Sequence, residues 1–424
     1  MKNKFLINSL KETEALAKEV SLIIQKGDFI SLIGPLGSGK TTLTKYIINN
    51  ICGDSQEVTS PTFTLSQTYL AKRSPITHYD LYRIEDYSDL EEIGFSETLE
   101  EGIVIIEWAD KFSNKLPKNR LQIQIEDDEG NNRIAHIKGY GSWDQRLERN
   151  IHLNNFINQC NLEIIDKSWM QGDASERSYQ RIITPDKSYV IMNHNQKKTK
   201  ENPTKLAENF EAFILINYHL ESLGIKVPKI FEVDTKNSFL LLEDLGNIQY
   251  SEINLNSDNI FDYYVPALES LILIQDSQHK KNLEYGGMRH TLNSYDNNIY
   301  LEELKLLVNW YWPYKKSTLC EIDVYNEYID IWEALLSKIS HSSTLTLRDF
   351  HSPNLLWIDT ENGLRRCGII DFQDALIGHP LYDLVSLTQD ARINISSELE
   401  IQILNYYIEL KYPEISEDLR IALF

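Results

Sequence analysis

Residues able to handle phosphate occur in two widely separated stretches of this 424-residue chain. Gly34-Pro-Leu-Gly-Ser-Gly-Lys40-Thr41-Thr42 fits the phosphate-loop pattern Gly-x-x-x-x-Gly-Lys-Thr. In such a loop Gly34, Gly37 and Gly39 free the backbone to turn its N–H groups inward around phosphates, with Ser38 and Thr42 in the same stretch. Lys40 is expected to reach the β and γ phosphates of a nucleotide, and the Thr41 hydroxyl to ligate Mg2+. Far downstream, Leu347-Arg-Asp349-Phe-His-Ser-Pro-Asn354 sets an aspartate five residues before an asparagine, ahead of an apolar run. This is the spacing of a phosphotransferase catalytic loop, in which the Asp takes the proton of an attacking hydroxyl and the Asn holds Mg2+. Asp371, after Cys367-Gly-Ile-Ile, stands where a second metal-ligating acid is expected, and Asp383 on the following helix is placed to brace the loop. His351 reads as a structural residue bonded to backbone rather than as a catalytic one.

The phosphate loop needs a strand before it and a helix after it. Phe29 to Ile33 reads as a buried strand, and Thr42 to Asn49 as a helix whose N-terminus favours an anion. Phe5 to Ile7 reads as an edge strand, followed by a helix from Ser9 or Lys11 to Glu19 with Leu10, Ala15, Leu16 and Val20 on one side. Glu57-Val-Thr-Ser-Pro-Thr-Phe-Thr-Leu65 reads as a loop entering a strand: either a switch segment that senses a γ phosphate or an ordinary polar loop. His78 and Asp80 lie two apart and share one face of a strand, where the acid either orients a water or marks a solvated strand end. Gly102-Ile-Val-Ile-Ile-Glu107-Trp108 reads as a central strand with an acid at its C-terminal end. Ligands of open α/β sheets bind beyond such ends, and a phosphate-loop enzyme needs a second Mg2+ contact there. The alternation of Leu121–Ile125 and Ile134–Lys138 predicts a hairpin that closes the domain.

Arg146 to Cys160 reads as a helix, which places a domain boundary near 145 and divides the chain into residues 1–145 and 146–424. Gln171 to Arg181 holds a small-residue turn that either covers phosphates or is a plain hairpin. Leu206 to Leu223 reads as a helix, Pro228 to Val233 as a strand, and Ser238 to Gly246 as a buried strand that ends in acids and links two lobes. Helices are predicted over Ile260–Gln278, Leu301–Trp312 and Tyr325–Ile339. The expected architecture is an α/β P-loop domain followed by an α+β, two-lobed, protein-kinase-like domain.

Hydrophobic residues make up 42% of the chain, as in globular proteins. The net charge of −21 argues against a free-standing nucleic-acid binder, though not against work on RNA in a complex whose other subunits hold it. Cys52, Cys160, Cys320 and Cys367 are not closely paired and are expected to be buried, reduced thiols. The apolar run near the start is too short for a secretion signal, and no stretch is long enough to span a membrane, so a cytoplasmic protein is expected.

Gly34 to Thr42, Thr59-Ser-Pro-Thr-Phe63, His78-Tyr-Asp-Leu-Tyr-Arg83 and Ile106-Glu-Trp108 together resemble TsaE. TsaE is the small ATPase subunit of the bacterial machinery that makes threonylcarbamoyladenosine in tRNA, next to the anticodon. The likeness covers about residues 5 to 140. It implies that Lys40 and Thr41 hold ATP and Mg2+, that Glu107 completes the metal site, that Asp80 serves hydrolysis, and that Trp108 lies beside the nucleotide. It also implies partner subunits that carry out the modification, with tRNA met only through them.

From about 150 to 415 the chain resembles the aminoglycoside-phosphotransferase-like family. Within it the match is to the anomeric sugar kinases of cell-wall recycling, which act on N-acetylmuramate and N-acetylglucosamine. Gly172-Asp-Ala-Ser, Leu240 to Gly246, Asp349 to Asn354, Ile370 to Ala375 and Tyr382 to Arg392 carry this likeness. It implies Asp349 as base, with Asn354 and Asp371 on Mg2+. There are departures. Tyr189-Val-Ile-Met-Asn193 lacks the usual nucleotide lysine, which leaves Arg177, Arg181 or Lys187 to neutralise phosphate, and Leu347 stands where His is common. Glu303 is either a sugar contact or a solvated helix acid. The resemblances imply two ATP- and Mg2+-dependent activities on one chain, an ATPase and a sugar kinase. The alternatives are a nucleotide-dependent assembly switch, a pseudokinase, or a kinase of another alcohol such as choline or an aminoglycoside.

Overall fold

The structure is a computed structural model that describes residues 4–53, 57–71, 73–128, 132–170, 177–195, 210–253, 259–339 and 343–414. Gly172 to Ser175 and residues 206–209, singled out above, lie outside the described residues. Two compact units emerge, Met1–Lys197 with Glu232–Leu241, and Lys198–Phe231 with Leu242–Phe424.

The first unit opens with β1 (Lys4–Leu6), α1 (Leu10–Ser21), β2 (Phe29–Ile33), α2 (Lys40–Cys52), β3 (Ser66–Tyr69) and β4 (Ile76–Asp80). It continues with α3 (Tyr87–Glu92), α4 (Phe95–Glu101), β5 (Ile103–Glu107), β6 (Arg120–Asp127), β7 (Arg133–Tyr140) and α5 (Ser142–Gln159). The seven strands form one sheet in the order β1-β7-β6-β2-β5-β4-β3. Strands β4, β5, β2 and β6 run parallel, and β6–β7 is the expected hairpin. Both faces of the sheet are covered, as parallel strands require. Ile30, Leu32, Ile105 and Ile123 pack with Leu16, Val20, Leu43 and Ile47 of the helices on one face. Phe29, Val104 and Ile106 pack with Leu90 and Phe95 on the other. A Ser9–Glu12 capping box starts α1. Helix α2 starts at Lys40 itself, two residues before the expected position, because Gly39 at φ 102° turns the chain into it.

A second sheet follows, in the order β11-β12-β10-β9-β8, from β8 (Asp166–Met170), β9 (Arg177–Ile183), β10 (Ser188–His194), β11 (Ile230–Asp234) and β12 (Phe239–Glu243), with α6 (Phe210–Ser222) between β10 and β11. Helix α5 runs through the expected boundary near 145 and serves both sheets. Trp143 and Leu147 are buried in the first core, while Phe156 packs on Phe239 with ring centroids 5.8 Å apart. Arg149, at the middle of the helix, donates to Asn193 Oδ1 (2.8 Å), His194 O (2.8 Å) and Asn237 O (2.9 Å). A polar seam joins α1 to β8. Lys18 pairs with Asp166 and Glu19 with Lys167, Asn154 donates to Glu19 at 3.2 Å, and the Arg73 guanidinium stacks 4.4 Å from the Trp169 ring.

The second unit contains α7 (Ile260–Asp276), the hairpin β13 (Asn282–Tyr285) and β14 (Met288–Thr291), α8 (Asn297–Leu306), α9 (Trp312–Lys316) and α10 (Ile322–Leu336). After these come β15 (Thr344–Thr346), β16 (Leu355–Trp357), β17 (Cys367–Ile369), β18 (Leu376–Gly378), α11 (Leu381–Thr388) and α12 (Ser397–Lys411). The expected helix over Leu301–Trp312 is split, because a π turn at Leu307–Tyr311 separates α8 from α9. The four cysteines are free thiols, but only Cys367 is buried and the other three are half-buried. Among the described residues no helix is long and apolar enough to cross a membrane.

Arg149 satisfies three acceptors, two of them backbone carbonyls. Replacing it with Ala should destabilise the first unit by about 1–3 kcal/mol and raise amide hydrogen exchange over Ser188–His194. Unchanged exchange there would show that α5 does not hold the second sheet through Arg149.

Candidate functional site

In the first unit the phosphate loop leaves the C-terminal end of β2 and enters α2. Gly34 has to be glycine, since a Cβ there would lie 2.5 Å from Ile125 O. Lys40 folds back over the loop, with Nζ 2.8 Å from Gly34 O and 2.9 Å from Pro35 O. The same Nζ sits 3.8 Å from the centre of the Trp108 ring. Burial lowers the pKa of this ammonium, against the pull of Glu107, Asp80 and Asp110. An arriving phosphate would offset that burial penalty. Ser38 Oγ is buried without a hydrogen-bond partner inside the same turn. An orphaned hydroxyl, inward-turning glycines and a desolvated lysine at a helix N-terminus fit a nucleotide phosphate.

Neighbouring parallel strands place the acids. Asp80 and Glu107 are register partners on β4 and β5, and Glu107 pairs across to Leu32 on β2. Glu107 is 2% exposed and has a donor for each oxygen, Thr41 Oγ1 at 2.9 Å and His78 Nε2 at 2.9 Å. Thr41 and Glu107, expected to share a metal, are therefore already in contact. Asp80 accepts from Ser60 Oγ (2.6 Å), from Thr62 Oγ1 and from Tyr82 N–H (2.9 Å). The Glu57–Leu65 loop is thus tied to an acid of the site. Thr42 follows Thr41 in the first turn of α2. His78, Ser60 and Thr62 complete this cluster. The two-residue spacing pointed to His78, but no local pattern linked Ser60 and Thr62 to Asp80.

In the second unit β16 and β17 pair with Leu355 opposite Ile369, and this brings together the residues that flank them. Asn354 Nδ2 donates to Asp349 O at 3.0 Å, and Ile370 N–H to Asn354 O at 3.0 Å. Asp371 adopts φ 60° and accepts from Gln373 Nε2 at 2.7 Å. His351 Nε2 lies 3.7 Å from Asp349 Oδ1, and Ser352 N–H donates to Asp390 at 3.0 Å. Asn354 therefore ties the turn of Asp349 to Ile370, which immediately precedes Asp371. The oxygens of Asp349, Asn354 and Asp371 match the hard ligands of Mg2+, which takes few from protein. Asp383 braces the loop as expected, accepting Leu347 N–H at 2.7 Å and Arg348 N–H at 2.9 Å. The buried Leu347 side chain needs no polar partner. Arg348 sits at φ 71°, a left-handed turn that costs a non-glycine residue about 1–3 kcal/mol.

Glu303 is not a solvated helix acid. It pairs with Arg348 and accepts from Tyr295 OH. It also contributes to a cavity of about 700 Å³ lined by Tyr300, Leu304, Trp332, Tyr382 and Val385 among others. Of the three cations considered for phosphate, Arg177 is buried beside His194, with Nε 3.4 Å from Nδ1. Arg181 is half-buried in β9, and Lys187 lies at the β9–β10 turn against the Tyr189 ring. Met192 is buried in the sheet.

Residues 7–135 match the family model "Threonylcarbamoyl adenosine biosynthesis protein TsaE", and residues 170–417 the model "Phosphotransferase enzyme family". The TsaE of Rickettsia conorii is 37% identical over 131 residues, 31% of this chain and 75% of that protein. The chain belongs to both families. In the TsaE region it is also 41% identical to the TsaE of Bacillus subtilis over 116 residues, 27% of this chain and 72% of that one. In the phosphotransferase region it is 28% identical to the N-acetylmuramate/N-acetylglucosamine kinase of Caulobacter vibrioides over 263 residues, 58% of this chain and 72% of that protein. The protein is a fusion of a TsaE-type P-loop domain with a kinase.

Burial pushes the Asp383 carboxyl up to about 7, against the two N–H groups that pull it down. Asp383→Asn keeps one of the two acceptor oxygens and sets a donor in place of the other, so it should lose only part of the loop's protection from hydrogen exchange. Asp383→Ala strands two buried N–H groups, at about 1–3 kcal/mol each, and should expose residues 347–350 to exchange. Equal exchange in the two variants would count against the bracing role.

Proposed function

We propose that residues 1–145 form an ATPase subunit supporting threonylcarbamoylation of tRNA adenosine next to the anticodon, and that residues 146–424 form a cytoplasmic, ATP-dependent sugar kinase. The observation that carries the kinase reading is that Asn354 bonds both Asp349 O and the N–H of Ile370, the residue before Asp371, at one end of a strand pair. In this reading Asp349 takes the proton of an acceptor hydroxyl, which frees the oxygen to attack phosphorus. Asn354 and Asp371 would hold Mg2+, and bound ATP supplies the phosphoryl group. The cavity beside Glu303, walled by Tyr300, Trp332 and Tyr382, offers ring faces of the kind that pack on sugars. The relatives named as N-acetylmuramate/N-acetylglucosamine kinases support an amino sugar as acceptor, and the resemblance of the motifs puts the transfer at its anomeric hydroxyl.

In the first domain Gly34, Gly37, Ser38, Gly39, Lys40 and Thr42 would cradle the ATP phosphates, with Trp108 alongside. Thr41 and Glu107 would hold Mg2+, and Asp80 would orient the attacking water. Its partners are the other subunits of the modification complex, and tRNA is met through them. The bonds from Ser60 and Thr62 to Asp80 favour a second element of the reading. The Glu57–Leu65 loop moves with the state of the phosphate site, so that turnover resets an assembly.

Label transfer from ATP to a panel of amino sugars tests the kinase. Anomeric phosphate should form with the intact chain and with Lys40→Ala, and fall about 10²–10⁴-fold with Asp349→Ala. Failure of every sugar with Mg-ATP normally bound would refute the amino-sugar assignment.

A further inference from the structure

Glu303 has both carboxylate oxygens engaged inside the protein. One accepts from Arg348 Nη2 and the other from Tyr295 OH. Tyr295 is a rigid anchor. It is buried, stacks on Tyr300 at 4.1 Å and 22°, meets Tyr382 edge-on at 5.1 Å and donates its N–H to Ile377 O at 2.8 Å. Burial and the neighbouring Glu303 hold its phenol well above the ordinary range, so it remains a donor. Arg348 lies over this ring with its guanidinium carbon 5.3 Å from the centroid. Burial pulls its guanidinium down, but Glu303 and Tyr295 outweigh that and raise it, so Arg348 stays a cation.

Arg348 immediately precedes Asp349 and holds a left-handed backbone. That conformation strains any residue with a Cβ. Asp383 fixes the amide side of the turn, and Glu303 fixes the far end of the Arg348 side chain. Both ends of Arg348 are therefore held, the amide by Asp383 and the guanidinium by Glu303. We propose that Glu303 and Tyr295 clamp Arg348 and thereby hold the turn that aims Asp349, so that Glu303 is a positioning residue and not a contact to the acceptor. The inference rests on the reading of Asp349 as the base.

Glycine at 348 adopts the left-handed turn without strain, which gives the clamp a distinctive signature. Four chains are compared with N-acetylglucosamine and N-acetylmuramate as acceptors: the intact protein, Glu303→Gln, Arg348→Gly and the double variant. Thermal melting and Mg-ATP binding confirm that each is folded. Glu303→Gln should lower kcat about tenfold to a hundredfold, as small misplacements of a reacting group do. It should leave the KM for the sugar within about twofold and raise hydrogen exchange over residues 347–350. In the Arg348→Gly background the same change should alter kcat by less than about twofold, because there is no strained turn left to hold. A raised sugar KM with unchanged kcat in both backgrounds would make Glu303 an acceptor contact and overturn the clamp. Equal losses of kcat in both backgrounds would overturn it too. An intact chain inert toward both sugars would refute the amino-sugar reading, and the exchange comparison would then decide the clamp, with unchanged exchange in Glu303→Gln counting against it.

Discussion

A carboxylate removed from water must find donors, and at four buried acids of this chain some of those donors belong to segments beside a candidate site. Among the described residues five acids are nearly or fully buried: Asp28, Asp80, Glu107, Asp383 and Asp390. Asp28 receives Arg146 of α5 and the Gln25 N–H. Asp80 receives two hydroxyls of the Glu57–Leu65 loop. Glu107 takes the threonine at the mouth of the phosphate loop. Asp383 and Asp390 take backbone N–H groups on either side of Asp349. Each acid turns the cost of its own burial into a fixed position for a neighbouring segment. The two halves of the chain, with unrelated folds, arrive at the same device.

The same economy shows in the backbone. Leu65, Trp108, Arg348 and Asp371 are non-glycine residues at positive φ, and all four border a candidate site. Leu65 closes the loop bonded to Asp80, and Trp108 lies under Lys40. Arg348 and Asp371 flank the proposed base and metal positions. Residues with a Cβ hold such angles only where the surroundings over-determine them. At Arg348 the bonds that do so are those of Asp383 to its backbone and of Glu303 to its side chain.

Much of this was legible in the sequence because it is local. The phosphate loop, the apolar strand ending in Glu107, the hairpin of residues 120–140 and the Asp349–Asn354 spacing are short patterns whose geometry follows from strand and turn chemistry alone. Asp383 as a brace was legible from its place on the helix after Asp371. What escaped was contact between distant residues. Ser60 and Thr62 meet Asp80 only because β3 folds back on β4. Tyr295 and Glu303 reach Arg348 from an element about fifty residues upstream. The polarity of Glu303 alone left it equally readable as a surface acid or a ligand, and its bonds to Arg348 and Tyr295 were not visible in the sequence. The role of α5 was hidden for a related reason. Periodicity marks a helix but not the two different cores that its two ends enter.

The seam between α1 and β8 bears on how such a chain can be recombined. Lys18 and Glu19 present opposite charges in sequence order to Asp166 and Lys167, so the contact is a two-letter code in which each letter rejects its neighbour's partner. A P-loop domain transplanted from a stand-alone relative would have to spell the same pair in the same order, or bring like charges together against the kinase sheet. Joining the two halves on one chain thus gives these four residues a contact that each half alone lacks.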